Sequence, residues 1–408
     1  MKQKIIRACT VSMSIGFVAG MLPDLMDKYE VVVLSSPGPE MEDVRRKYGV
    51  RTIAVPMERH ISLWRDVVSL WKLINVFRKE RPTMVHSMTP KAGMLCMLAA
   101  WLTRVPVRVH TFTGLVFPTA AGLKRRILML TDALTCWCAT HVIPEGEGVK
   151  NDLLTNGITR KPMTVLGYGN VRGIDLEKFS RRKKVMDIVT QKSLKSQNFT
   201  FLFVGRIVRD KGINELVGAF RRLSKRYPQA RLVLVGNYED DLDPISQESR
   251  DIITKNEQIE AAGPKYGDEL LACYAAADCF VFPSYREGFP NTVLEAGAMG
   301  LPCIVTDING SREIISPSPA LIPADAPTRS LSSREGYSGT IDIRQNGMVI
   351  PPRDEDALYE AMWRMMTDDG LRQQMAANAR PMIASRFEQG FVRQCLYDFY
   401  DEILEGEK

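Results

Sequence analysis

PSYREGFPNTVLEAGAMGLP, residues Pro283 to Pro302, follows an apolar run that ends at Phe282 and opens a helical pattern with Pro290 at its expected first position. Proline forfeits nothing there, because first-turn N–H groups have no acceptor within the helix. The backbone from Gly288 through Phe289 and Pro290 to Asn291 is therefore expected to present its N–H groups outward as a seat for an anion. A helix dipole contributes roughly 0.3–2 kcal/mol to such a ligand, too little to hold a double negative charge. Cations must come from elsewhere, and FVGRIVRDKG, Phe203 to Gly212, supplies them in a second strand–turn–helix pattern. Arg206 and Lys211 leave the strand end together, a forked guanidinium beside a compact ammonium, which suits a diphosphate. Gly205 and Gly212 let the backbone approach closely. Glu295, about one turn into its helix, is placed to accept hydrogen bonds from a ribose diol, and Glu287 in the loop faces hydroxyls beyond the phosphates. A nucleotide carrying a sugar fits this set. The simpler alternative is two solvated glutamates, one of them paired with Arg206.

Around these two loops, short Val/Ile-rich runs alternate with helical patterns. Early runs are Ile5–Val11, Tyr29–Leu34, Arg51–Val55, Thr83–Ser87, Val105–Thr111, His141–Pro144 and Met163–Gly167; later ones are Phe199–Val204, Arg231–Val235, Ile259–Ala262, Cys279–Phe282 and Pro302–Val305. Such alternation predicts crossover units on parallel sheets, hence an α/β protein of two doubly wound, Rossmann-like domains with ligands beyond the strand ends, in a cleft that both face. Residues 1–180 form the first domain, polar and basic residues 181–197 a linker, and 198–386 the second domain. Ser316 to Gly339, rich in Ser and Pro, reads as a surface loop, and two or three helices follow Glu355.

With 45% hydrophobic residues among 408, the chain can bury two cores, which excludes a disordered tail or a disulfide miniprotein. The eight cysteines sit mostly in apolar stretches and read as reduced core thiols of a cytosolic protein. The net charge of +6 is uneven: the first 180 residues hold 25 Lys and Arg against 15 Asp and Glu. A basic first half calls for an anionic partner. No aromatic–basic interleaving or reading helix points to nucleic acid; an anionic membrane surface or a diphosphate-bearing lipid fits better. No apolar run reaches the roughly 20 residues of a spanning helix. Lys2, Lys4 and Arg7 before an apolar stretch imitate a secretory signal, but a buried strand, a turn at Ser12 to Gly16 and a helix ending near Tyr29 is the preferred reading. Two helices could lie on a membrane or cover the sheet: 61–81, with Trp64, Val68, Trp71, Ile74 and Phe77 at helical spacing, and 123–142, after Lys124, Arg125 and Arg126.

The E-x7-E spacing of Glu287 and Glu295, with GRIVRDKG and the segment from AADCFVF to NGSREII, resembles the donor domain of retaining, GT-B-fold glycosyltransferases of family 4. VHSMTPKAG, VRVHTFTGLVF and LGYGNVRGIDLEKF in the first half are similar to members that extend sugars on polyprenyl-diphosphate carriers in bacterial capsule, O-antigen or exopolysaccharide assembly. The resemblance implies Arg206 and Lys211 on the donor diphosphate, Glu287 on the transferred sugar, Glu295 on the ribose, and the Gly288–Asn291 backbone, with Phe289 and Pro290, beside the phosphates. It also implies a last helix, about Phe391 to Leu404 within 387–408, that crosses back to the first domain. Many members carry a T-x-H histidine in the first domain; here Thr113 stands at that place, and His110 lies inside the strand. Gly16 is the candidate for close approach to the donor in the first domain, where members often have two glycines.

On the acceptor side, His86, Thr89 and Lys91 end the fourth strand, and Thr89 with Pro90 could cap the next helix as a second anion seat or as a plain cap. Asp241 and Asp243 in EDDLDP imitate a D-x-D metal motif, but Arg206 and Lys211 already answer the diphosphate, so no metal and no cofactor is expected. The implied function is retaining transfer of a sugar from a nucleotide-sugar donor, a UDP-hexose or UDP-N-acetylhexosamine, to a polyprenyl-diphosphate-linked acceptor, by an enzyme peripheral on the cytoplasmic face of the inner membrane. A nucleotide-sugar epimerase or hydrolase of the same architecture, or a non-catalytic nucleotide-sugar-binding protein, are the alternatives.

Overall fold

The computed structural model describes residues 2–58, 62–195, 197–241, 243–315, 330–331 and 341–405. The chain divides into two compact units, one of residues 1–173 and 390–408 and the other of residues 174–389. The break falls after Gly173, earlier than the Ser180 read from composition.

The first unit is a parallel sheet of β1 (Lys4–Ala8), β2 (Glu30–Ser35), β3 (Arg51–Ala54), β4 (Met84–Met88), β5 (Val107–Phe112) and β6 (His141–Pro144) in the order β3-β2-β1-β4-β5-β6. Its crossovers carry α1 (Leu22–Lys28), α2 (Pro39–Tyr48), α3 (Leu63–Glu80), α4 (Pro90–Leu102) and α5 (Gly122–Cys138), and α6 (Glu147–Thr155) follows β6. Successive strand side chains face opposite sides, so β1 sends Ile6 and Ala8 to the core beneath α3 to α6 and Ile5 to the core beneath α1 and α2. Both faces are covered, which is why the strands read as continuous Val/Ile runs. Met163 makes only an isolated bridge to Val142, so the expected strand at Met163–Gly167 does not form. After β1 the chain winds through two short 3-10 turns, Ser12–Phe17 and Ala19–Met21, before α1.

The second unit repeats the plan. Its first helix, α7 (Lys183–Gln191), occupies the stretch expected to be a linker; Val185 and Val189, one turn apart, are buried and anchor it to the core. Then follow β7 (Phe199–Val204), α8 (Ile213–Arg226), β8 (Ala230–Val235), α9 (Gln247–Lys255), β9 (Ile259–Gly263), α10 (Gly267–Ala276), β10 (Cys279–Phe282), α11 (Asn291–Ala298), β11 (Cys303–Thr306), α12 (Ser311–Ile314), β12 (Ser330–Leu331), β13 (Ile341–Arg344), β14 (Gly347–Ile350), α13 (Glu355–Thr367) and α14 (Asp369–Phe387). The sheet order is β12-β13-β14-β11-β10-β7-β8-β9, parallel except that β13 pairs antiparallel with both β12 and β14. Apart from Ser330 and Leu331, the loop expected at Ser316–Gly339 lies outside the described residues.

The final helix, α15 (Gln389–Glu405), returns to the first unit and buries Leu396, Phe399, Tyr400 and Leu404 against the β1 and β2 side of its sheet. All eight cysteines are free thiols; Cys273 and Cys395 are half-buried and the other six are buried.

Asp132 on α5 is 9% exposed, and burial pushes its carboxyl up to about 7 from 3.8. The fold favours the neutral acid while the unfolded chain ionises near pH 4, so the group opposes folding increasingly from pH 4 to 7 and fully above that. Asp132→Asn should therefore raise the thermal midpoint at pH 8, by up to about 4 kcal/mol of stability, and leave it unchanged below pH 4. Thermal unfolding at the two pH values checks this.

Candidate active site

In sheets of this order, ligands bind beyond the carboxyl ends of the strands where the winding reverses. In the second unit that point lies between β7 and β10, and the two strands lead into the loops Gly205–Gly212 and Pro283–Pro290. The loops are stitched together: the Tyr285 N–H donates to the Asp210 carbonyl at 2.8 Å, and Arg286 pairs with Asp210 at 3.2 Å. Lys211 forms an ion pair with Glu287, both side chains about 15% exposed or less. The Ser284 hydroxyl donates to the same Glu287 oxygen at 2.6 Å. Arg206 pairs with Glu239, from the loop after β8, at 2.6 Å. Half-burial alone would lower the Arg206 pKa, but the hydrogen bond and charge of Glu239, with the charges of Asp210 and Glu287, hold it above its ordinary value.

Two supports of this site do not show as such in the sequence. Asp243 holds the turn that carries Lys211: its carboxylate accepts from the Asp210 N–H at 2.6 Å and from Arg209 Nε at 3.0 Å. The aspartate that imitates half of a metal motif thus fastens a loop; Leu242 lies outside the described residues. Gly310, at φ 69°, lies so close to the Gly288 carbonyl and Phe289 that a Cβ there would collide with backbone. Gly212, at φ 70°, meets the Pro283 carbonyl in the same way, so the two glycines set how tightly the loops after β7, β10 and β11 close on one another.

Pro290 is the N-cap of α11 rather than its first residue, its carbonyl accepting from Val293 at 3.1 Å; no side chain caps this end. Glu295, half-buried on α11, accepts from the Tyr274 hydroxyl at 3.0 Å. Burial, then the charge and hydrogen bond of Glu295, push the Tyr274 hydroxyl well above its ordinary range. The donor-side residues Gly205, Arg206, Lys211, Glu287, Gly288, Phe289, Pro290, Asn291 and Glu295 thus all lie on β7–α8 and β10–α11, which flank the reversal of one sheet.

In the first unit the corresponding loops follow β1 and β4, and there the expectations need correction. His86 sits in the middle of β4, 1% exposed. Arg7 donates to its Nδ1 at 2.6 Å, so Nε2 carries the proton toward Thr111 Oγ1 at 2.7 Å. Burial, then the charges of Arg7 and His110, drive its pKa well below the ordinary value. A neutral imidazole bonded at both nitrogens within the core is an anchor rather than an acceptor-side group. Thr89 does stand at the N-cap of α4 with φ 72°, but its side chain caps nothing. Thr10 does so instead, its hydroxyl accepting from the Ala92 N–H at 3.0 Å while bonding Thr89 at 2.7 Å, which fills the expected anion seat. Lys91 is held by Asp66 at 2.7 Å, both side chains about one-tenth exposed. Thr113, just past β5, is half-exposed beside Gly114. Gly16 is exposed in its 3-10 turn with open space around it, so a side chain there would meet no protein atom.

Comparison with known proteins bears on both units. Residues 198–368 match the family described as glycosyl transferases group 1, and residues 21–169 the glycosyl transferase 4-like domain. A capsular polysaccharide biosynthesis glycosyltransferase, CapM of Staphylococcus aureus, is 30% identical over 405 residues, 99% of this chain and 98% of that protein. An Escherichia coli UDP-Gal:alpha-D-GlcNAc-diphosphoundecaprenol alpha-1,3-galactosyltransferase is 28% identical over 83% of this chain and 80% of its own length. Among solved structures, Anabaena HepE in complex with UDP superposes with a TM-score of 0.75 at 16% identity, covering 98% of this chain and all of that one. Each unit carries the reversing parallel sheet of the GT-B fold, both halves match glycosyltransferase families, and a relative is alike from end to end: the chain belongs to the group 1 and 4-like glycosyltransferases, and it is a transferase of sugars.

Proposed function

We propose that the enzyme moves a hexose or N-acetylhexosamine from a UDP-sugar to a sugar carried on a polyprenyl diphosphate, with retained anomeric configuration, in the assembly of a bacterial surface polysaccharide. The observation that carries the donor half is the pairing of Lys211 with Glu287 at the reversal of the second sheet, with Arg206 close enough to feel the Glu287 charge. The acceptor half is supported by likeness to the two named relatives, one acting in capsule synthesis and one on a diphosphoundecaprenol-linked sugar.

When a sugar diphosphate enters, Lys211 and Arg206 exchange their carboxylates for phosphate oxygens. Glu287 is then released to accept from a sugar hydroxyl, while Glu295 takes the ribose. Negative charge grows on the departing diphosphate, and two fixed cations beside it stabilise that change more than the ground state. Retention follows if the acceptor hydroxyl attacks on the leaving-group side and gives its proton to the departing phosphate. No metal or cofactor is required in this scheme, so activity should persist in chelator. The reaction is placed at the cytoplasmic face of the inner membrane, where a lipid-linked acceptor is within reach of a peripheral enzyme.

The test is a panel of nucleotide sugars incubated with a synthetic polyprenyl-diphosphate sugar, the product read by mass. Acceptor mass should rise by one sugar with a UDP donor and only when both substrates are present. Donor consumption without acceptor would indicate a hydrolase or epimerase, and donor binding without turnover a binding protein; either result overturns the proposal.

A further inference from the structure

Helices α3, α4 and α5 lie side by side over one face of the first sheet, their inner residues Phe77, Leu95 and Cys136 sharing a single core. The outward side of this layer is unusual. On α3, Trp64, Val67, Val68 and Trp71 are exposed, Trp64 by 77%, and they form a stripe at helical spacing over the first turns. Of the apolar residues expected on this helix to face one way, only Phe77 is fully buried and Ile74 partly so. On α5, Leu123, Ile127, Leu130 and Trp137 make a second exposed stripe along the whole helix. Between them α4 is buried along most of its length and exposes Trp101 and Leu102 at its end, the Trp101 ring 4.9 Å from that of Trp137. Four of the chain's five tryptophans are thus exposed on one helical layer. Scattered exposed apolar residues are ordinary, but stripes on neighbouring helices mark an interaction surface.

Charge selects the partner. The same three helices expose Arg65, Lys72, Arg78, Lys79, Lys124 and Arg126. Arg65 pairs with Glu58 in the preceding loop. Their only carboxylates are withdrawn from the surface: Asp66 is buried on Lys91, Glu80 is held by Lys4 and Arg51, and Asp132 is buried. Tryptophan and leucine stripes flanked by cations and free of exposed carboxylates match the interface of an anionic bilayer, where indole rings settle at headgroup level and lysines meet lipid phosphates. A protein partner would have to cover an apolar face of one charge sign with a correspondingly acidic one, a narrower requirement.

We infer that the outer face of α3, α4 and α5 is a docking surface for an anionic lipid bilayer, with Trp64, Trp71, Leu123, Ile127, Leu130 and Trp137 as its inserted anchors. The inference rests on the reading that the acceptor is lipid-linked. The Asp66–Lys91 pair ties the first turn of α3 to the first turn of α4, which leaves β4 directly. The Trp64–Trp71 stripe therefore lies toward the carboxyl edge of the first sheet, the edge at which such sheets take ligands, and docking there keeps that edge at the lipid surface.

The experiment is flotation of the whole protein with vesicles of phosphatidylcholine alone or with 30% phosphatidylglycerol, without substrates, alongside tryptophan emission. Binding to the anionic vesicles only, weakened by salt and accompanied by a blue shift, is expected. Trp64→Ser with Trp71→Ser should weaken binding at least tenfold, and Lys124→Glu with Arg126→Glu should abolish the preference for anionic lipid, with thermal midpoints unchanged. The tryptophan variant should still glycosylate a short-chain, water-soluble acceptor at the normal rate while losing activity on a long-chain acceptor in vesicles. Wild-type protein that ignores both vesicles, variants that bind like wild type, or a self-associated protein that these substitutions turn monomeric would each overturn the inference. Failure of transfer to the soluble acceptor by wild type would instead count against the proposed function, since vesicle binding is read without any acceptor.

Discussion

Lys211→Ala is expected to lower kcat/KM for sugar transfer by roughly two to three orders of magnitude. Truncating one partner of a desolvated charge pair costs about 2–5 kcal/mol, and about 1.4 kcal/mol is a factor of ten in rate. The loss has two sources: Glu287 is left without the cation it faces, and the departing diphosphate loses one of its two fixed positive charges. Glu287→Gln separates them. It releases Lys211 from its internal carboxylate, so UDP should bind at least as tightly as to wild type while kcat falls. Steady-state kinetics with calorimetric titration of UDP measure both, and near-normal transfer by Lys211→Ala would remove this loop from the diphosphate site. The double variant should cost less than the sum of the two, as expected for groups in contact.

Tyr400→Ala should destabilise the first unit by about 3–5 kcal/mol, a large share of the 5–15 kcal/mol typical of a domain. The ring is fully buried, edge-on to Tyr29 and His86, with centroids 6.3 and 5.7 Å away. Its hydroxyl also accepts from Arg7, a guanidinium 2% exposed that bonds His86 and the Met88 sulfur as well. Tyr400→Phe keeps the volume but strips an oxygen from a buried cation, at a cost of roughly 1–3 kcal/mol. Urea unfolding followed by a probe in the first unit reads both values, since two units need not unfold together. An unchanged midpoint for Tyr400→Ala would mean that α15 is held by something else.

Much of this molecule was legible in its sequence because local signals agreed with global packing. Val/Ile runs buried on both faces gave most of the strands, and the loops of Arg206, Lys211 and Glu287 were found from turn glycines and strand ends a few residues away. What escaped depends on partners far along the chain. His86 reads as a strand-end ligand until Tyr400, 314 residues later, and Arg7 close around it. Lys91 reads as a free cation until Asp66 reaches it from another helix. The missed helix α7 did have a signal: Val185, Ile188 and Val189 fall on one face, but four basic residues just before them masked it. Asp243 was set aside with its polar loop once the metal motif was discounted, while its task, fastening the Lys211 turn, shows only in three dimensions.

The return of α15 also sets a timetable for synthesis. The apolar row of Ile5, Val31 and Val33 leaves the ribosome ahead of the second unit, yet the helix that covers it with Leu396 and Tyr400 is translated after that unit. The first unit therefore cannot complete its own core before α15 is made, and the intervening unit, contiguous in sequence, can finish first. The nascent protein carries an open greasy strip until α15 is made, which makes it a natural client for a holding chaperone and a poor candidate for expression as an isolated half.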